Sequence, residues 1–395
     1  MNVILRNGQV WQKSSFEKMD LLISDGKIRE LGQMIPKQQG TEEMDLTGYY
    51  ILPGLIDCHW HIGMAGDDPQ TEVYYRATPM QGAYRSAGYA RRLLYGGFTT
   101  VRECGSMFSE TAALRDAIRA GDLEGPRLLV CGRALRIPGG HMPCSLEVSG
   151  PEEARRAARE QLAQGADFLK VMLTGGLGRT NEVPDTVEMD LDELQAVCRE
   201  GHRTGKAIAC HAHSKRAMMN AILAGATTIE HATMLDAEVV DGLLKNDMAI
   251  VPTFAPYGLV ARYGERYGVP AEVRESAARL YDIKCERFAL AHKQGVKILY
   301  GRDVFLIEPE NAAEEMLFMQ QAGMSAAEVI RSATDLAAKE LGLGQETGSL
   351  EAGKCADLLV LSGDPLKDLR YFDTALTAVM KDGRWAAPLA RPNFA

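Results

Sequence analysis

The sequence predicts an α/β chain: a (β/α)8 TIM-like barrel over residues 51–344, with a small β-sandwich domain built from both chain ends, residues 1–50 and 345–395. Three observations predict it. The middle of the chain alternates short apolar runs with amphipathic stretches that often close on glycine. Each end carries period-two segments around two-residue turn signals, and neither has enough strands to be stable alone. Most residues suited to chemistry fall at the ends of the middle segment's strands, where such a barrel places its reactions.

Taken in order, the first fifty residues show "VIL", "DLLIS" and "KIREL" as short strands around the turn signals Asn7-Gly8 and Asp25-Gly26. "ILPGLIDCHWHIG", residues 51–63, reads as a buried strand that ends on two histidines. Seven further buried strands follow: "GFTTVRE", "RLLVCGR", "DFLKVMLT", "AIACHAH", "ATTIEHAT", "MAIVPTF" and "VKILYGRD". Between them "PEEARRAAREQLAQG", "LDELQAVCREGHRTG", "KRAMMNAILAG", "AEVVDGLLKN" and "VRESAARLYDIKCERFALAHKQG" have helical spacing. At the far end "ADLLVLSG" is a strand, and Asp382-Gly383 turns between "LTAVMK" and "RWAA". A doubly wound open sheet is the rival, but no GxGxxG follows an early strand. "GSLEAGKC" satisfies GxxxxGK yet puts Cys355 where a phosphate loop needs a hydroxyl, and it precedes a strand; it is a β turn.

Composition narrows the partners. Hydrophobic residues at 46% and charged residues at 25% are globular values. A net charge of -9 without clustered Lys and Arg disfavours nucleic acid and membrane surfaces, so a small molecule is the expected partner, with a homo-oligomer open. The start lacks the features of a signal peptide and no apolar run approaches a membrane span, so the default location is the cytoplasm. Eight cysteines without a CxxC pair read as buried free thiols.

The chemistry-bearing residues are His59 and His61 on the first barrel strand, Lys170 within the fourth, His211 on the fifth, His231 on the sixth and Asp303 on the eighth. In a strand, residues i and i+2 share a face, so both histidines of "HWH" can grip one ion while Trp60 faces the helices. Neutral imidazoles with a carboxylate suit a zinc-like ion. Lys170 in "ADFLKVML" would bury an ammonium, which is costly unless it is paired or loses its proton. A neutral amine can add carbon dioxide, and the resulting carbamate could bridge two metal ions. Two divalent ions would then face the carbamate, Asp303 and a bridging hydroxide, leaving the site near charge balance. His202 and His292 sit on helices and read as surface or packing residues.

"LPGLIDCHWHIG", "GGFTTVRECG", "FLKVMLTGG", "CHAHS", "TIEHAT", "YGRDV" and "GSLEAGKCADLLVLSGDP" together resemble the amidohydrolase superfamily, in its imidazolonepropionase-like branch of metal-dependent prolidases and related dipeptidases. The resemblance implies that His59 and His61 hold one metal and His211 and His231 the other. Lys170, carboxylated, would bridge two zinc ions, and Asp303 would ligate and shuttle protons. The chain departs from the family pattern at Arg302, where a threonine is usual, and at Glu103, where an aspartate is usual. Arg302 either attracts an anionic substrate or pairs with a neighbouring acid. His141 in "PGGHMP" and Tyr257 in "VPTFAPY" are candidates for substrate contact, and His213 either touches substrate or supports a ligand.

The expected reaction is metal-assisted amide hydrolysis. Two ions about 3.5–4 Å apart would bring the pKa of a bridging water to around 7, and Asp303 would pass its proton to the leaving nitrogen. A dipeptide of the Xaa-Pro type or an N-acyl amino acid is the expected substrate. A cyclic amide, carbamate or xenobiotic amide, or a catalytically silent barrel used for binding, is the alternative.

Overall fold

The structure, a computed structural model, describes residues 2–63, 77–176, 183–303 and 307–386. Five strands open the chain: β1 (Asn2–Gln12), β2 (Ser15–Ser24), β3 (Lys27–Gly32), β4 (Glu42–Asp45) and β5 (Tyr50–Pro53). Next come β6 (Leu55–Trp60), β7 (Phe98–Glu103) and β8 (Arg127–Val130), then two short strands, β9 (Leu135–Arg136) and β10 (Leu146–Glu147). Five more follow: β11 (Phe168–Met172), β12 (Ala207–Ala212), β13 (Thr228–His231), β14 (Ala249–Val251) and β15 (Lys297–Ile298). The described chain closes on β16 (Leu358–Leu361), β17 (Leu376–Lys381) and β18 (Arg384–Trp385).

The eight strands read from the middle segment are β6, β7, β8 and β11 to β15, the first shorter than read because residues 51–53 belong to β5 on the terminal sheet; consecutive members are parallel within two runs. Backbone hydrogen bonds bridge the gaps between the runs. Asp167 N–H donates to Val130 O at 2.7 Å, Cys58 N–H to Tyr300 O at 2.9 Å, and Asp303 N–H to His59 O at 2.7 Å. The last bond fixes one end of the chemistry-bearing set directly against another. Because helices cover the outside, the strands are buried along nearly their whole length; every residue of β6, β7 and β11 is buried.

Strands from both chain ends share one sheet, in the order β18-β17-β16-β5-β1-β2-β3, with β4 on β1. Its edge strand β3 returns to the segment before β16, where Ile28 N–H donates to Lys354 O and Gly353 N–H to Ile28 O. The strands alternate faces: Leu358 and Val360 belong to an apolar cluster internal to this sheet, whereas Leu359 and Leu361 join the barrel's cluster. Arg127 on β8 ties the two parts by pairing with Asp357 at 2.8 Å and Asp382 at 2.9 Å. Gly54, between β5 and β6, lies so close to Thr99 that any Cβ would collide with its side chain.

Two of the three turn signals behave as read. Asp25-Gly26 and Asp382-Gly383 each join antiparallel strands through two residues of positive φ, the geometry of a type I′ hairpin. Asn7-Gly8 does not turn. It lies inside β1, where the register with β2 slips between Leu5 and Gly8 and Asn7 has φ 59°. A bulge and a hairpin both need a left-handed residue, so the dipeptide alone does not separate them. Among the described residues all eight cysteines are free thiols, and no helix is long and apolar enough to cross a membrane.

Candidate metal centre

The structure brings five of the six predicted ligands, His59, His61, His211, His231 and Asp303, into one cluster. His59, the fifth residue of β6, has its ring centre 5.3 Å from that of His61 and 5.1 Å from that of His231. His231 lies 4.4 Å from His211 on the same measure, so the four imidazoles form a continuous cluster. Asp303 Oδ1 sits 3.8 Å from His59 Nε2 and 3.6 Å from His61 Nε2. One ligand atom from each of His59, His61 and Asp303 falls within 4.8 Å of the others, and the same holds for His211, His213 and His231.

Each ring is held by its far nitrogen, which leaves the near one aimed into the cluster. His59 Nδ1 is 2.7 Å from Glu230 Oε2, His61 Nδ1 is 2.9 Å from Gly105 O, and His231 Nδ1 is 2.6 Å from Thr253 Oγ1. His211 is turned the other way, with Nε2 3.3 Å from Gly175 O, so its Nδ1 is the inward atom. This orienting of imidazoles by outer partners is what a metal site requires. Burial lowers the pKa of His61 to about 4 and puts those of His211 and His231 well below the ordinary value, so these rings are neutral donors at neutral pH.

Glu230 is the residue that sequence reading passed over. Burial alone would raise its pKa, but the Arg102 guanidinium above all, with the His59 hydrogen bond, outweighs that and holds it below the usual carboxylate range. Arg102 pairs with it at 2.7 Å and also donates to Cys58 O at 2.6 Å. Glu103 has a related task on the other histidine. It is fully buried, accepts from Gly105 N–H at 3.0 Å and from Thr111 Oγ1 at 3.1 Å, and so fixes the carbonyl that holds His61. Burial pushes its carboxyl well up.

Lys170 lies mid-strand in β11 and is 1% exposed, yet its Nζ has no hydrogen-bond partner among the described residues. An ammonium in that position leaves its donors unsatisfied, whereas a carbamate between two cations would be matched in charge and in acceptors. The donor set therefore fits a pair of divalent ions of the zinc type.

The remaining candidates are placed as follows. His141, in the loop between β9 and β10, stacks on His211 at 4.3 Å between ring centres, and its N–H donates to Glu188 Oε2 at 2.9 Å. Tyr257 is buried, with its hydroxyl 3.2 Å from His213 Nε2, and His213 Nδ1 is 2.9 Å from Thr233 Oγ1. Arg302 faces away from the cluster. It pairs with Asp57 at 2.7 Å, donates to Pro309 O at 2.9 Å, and lies 3.8 Å over the Phe98 ring and 4.2 Å over Trp60. Of its two readings, pairing with an acid is the one observed. His202 and His292 bond Gly225 O and Glu328 respectively, away from the cluster.

A model of the amidohydrolase family matches residues 50–386. Ochratoxinase from Aspergillus niger is 30% identical over 406 aligned residues, covering 92% of this chain and 82% of that protein. Among solved structures, a prolidase in complex with N-methylphosphonate-L-proline superposes with a TM-score of 0.90 at 26% identity, over 98% of this chain and 99% of that one. A Xaa-Pro dipeptidase with methionine bound in its active site gives 0.88 at 28% identity, over 98% and 99%.

Proposed function

This chain belongs to the amidohydrolase family and is a hydrolase of C–N bonds, and from that premise we propose that it cleaves the amide of a dipeptide of the Xaa-Pro type or of an N-acyl amino acid. The observation that carries the reading is the cluster of imidazoles that burial keeps neutral, together with a buried Lys170 whose Nζ has no hydrogen-bond partner among the described residues. His59 and His61 would hold one zinc, His211 and His231 the other, and the carboxylated Lys170 would lie between them. When bound, such a pair lowers the pKa of water toward 7 and polarises a carbonyl.

The chain's own groups supply the rest. Asp303 takes a proton from the attacking water and hands it to the leaving nitrogen; its backbone, at φ 58°, is pinned by the bond to His59 O. Tyr257 donates to the carbonyl oxygen as negative charge develops there. His141, stacked over His211, bears on the substrate from the loop side. The prolidase and the Xaa-Pro dipeptidase support the choice of substrate class, and ochratoxinase supports an amide more generally.

Elemental analysis of zinc-loaded protein, followed by a screen of Xaa-Pro dipeptides and N-acyl amino acids, tests this. One to two ions per chain, turnover of a member of that set and loss of activity to a chelator are the expected results. Turnover confined to lactones or aminated heterocycles would reject the peptidase reading.

A further inference from the structure

Lys284 sits on the helix Ala271–Gln294 in line with Ala277, Leu280, Phe288 and Ala291, the stripe that faces the barrel. It is 1% exposed. Its Nζ donates to Pro252 O and, at 3.1 Å, to Thr253 O, and it lies 4.1 Å from the centre of the Tyr257 ring. These carbonyls belong to the turn after β14, where Thr253 has φ 49° and holds His231 through its hydroxyl. From the other side Glu315 accepts the next two amides, Phe254 N–H at 2.9 Å and Ala255 N–H at 2.6 Å. A buried lysine and a buried carboxyl thus grip four consecutive residues, Pro252 to Ala255, with only Pro256 between them and Tyr257.

A leucine or methionine would fill this stripe without desolvating a charge, so packing does not account for a lysine here. What the ammonium adds is two carbonyl anchors and a positive charge on the face of the phenol ring. The charge favours electron density on the ring and makes the hydroxyl a stronger donor. Burial draws the Lys284 pKa down to about 7, with Glu315 and Asp303 opposing.

We propose that Lys284 is a positioning residue for hydrolysis, acting through Tyr257: it fixes the turn that presents the phenol and strengthens its O–H as a donor to the substrate carbonyl. The inference rests on the role proposed for Tyr257 above.

The test compares the parent with K284M, K284R, Y257F and K284M/Y257F at equal, measured zinc content, using the substrate turned over fastest in the screen. Y257F should lower kcat about 100-fold, the scale of losing one donor to a developing oxyanion. K284M should lower kcat about 10-fold with KM within about 3-fold, and K284R should recover most of that loss. Because both act on one group, the double variant should fall within about 2-fold of Y257F. Parental kcat in K284M, or losses that multiply in the double variant, overturns the proposal while the Tyr257 role stands. Parental kcat in Y257F removes that role and this inference together. If K284M does not fold, K284Q, which keeps a donor but no charge, takes its place in the same comparison.

Discussion

Glu230 stands next to His231 in the chain but serves His59, which lies 171 positions earlier. Its carboxylate accepts from Nδ1 and leaves Nε2 facing inward, so the negative charge both selects the tautomer and raises the basicity of the ring. E230Q keeps the shape and loses the charge; zinc affinity, read by chelator competition, should fall about 10- to 100-fold, the usual scale for an outer partner of a metal ligand. The six candidate ligands could be named from the sequence because histidine, lysine and aspartate are conspicuous in apolar strands, and strand parity says which of them share a face. Their supports were not. Thr253, Glu230 and Lys284 act on residues that only the tertiary fold brings near, and Lys284 left a single trace, a cation on an otherwise apolar helical stripe.

At the level of elements, the pair Asp57–Arg302 bolts β6 to the segment that follows β15, with both side chains fully buried. Removing one partner leaves an uncompensated charge, so R302M should lose about 3–5 kcal/mol in denaturant unfolding, and D57N/R302M should regain part of it. From sequence, Arg302 had two readings because its position beside Asp303 says nothing about which way a residue in a kinked strand end turns. A second joint closes the helix Ala326–Ser332, where Glu328 completes a capping box with Ser325 and meets His292 on the long helix at 3.0 Å. The Ser325 hydroxyl, then its N–H, followed by His292, hold the Glu328 pKa at about 2 against an ordinary 4.5. The folded value is the depressed one, so the stability it contributes is present above pH 4.5 and is lost as pH falls toward 2. E328Q should therefore melt below the parent at pH 7, and thermal scans should show the gap narrowing at pH 3.

Across the whole molecule, the candidate ligands come from β6, β11, β12, β13 and the segment after β15, so any ion held there ties strands spread around the barrel. Folding and loading should be linked: zinc at about 100 times its dissociation constant should add about 2.7 kcal/mol of stability, and a chelator should lower the melting temperature. The barrel and the joining of both chain ends into one β unit were readable from the count and placement of the strands, whereas the strand order and register of that sheet were not, because β5 with β16 and Ile28 with Lys354 are contacts between distant stretches.

That terminal sheet sets an order of events during synthesis. Ile51 and Leu52 in β5 leave the ribosome early, but the strand that completes their ladder, β16, emerges roughly 300 residues later, about 15–60 s at ordinary translation speed. Throughout that interval β5 is an unpaired apolar edge, a template on which another nascent chain can pair.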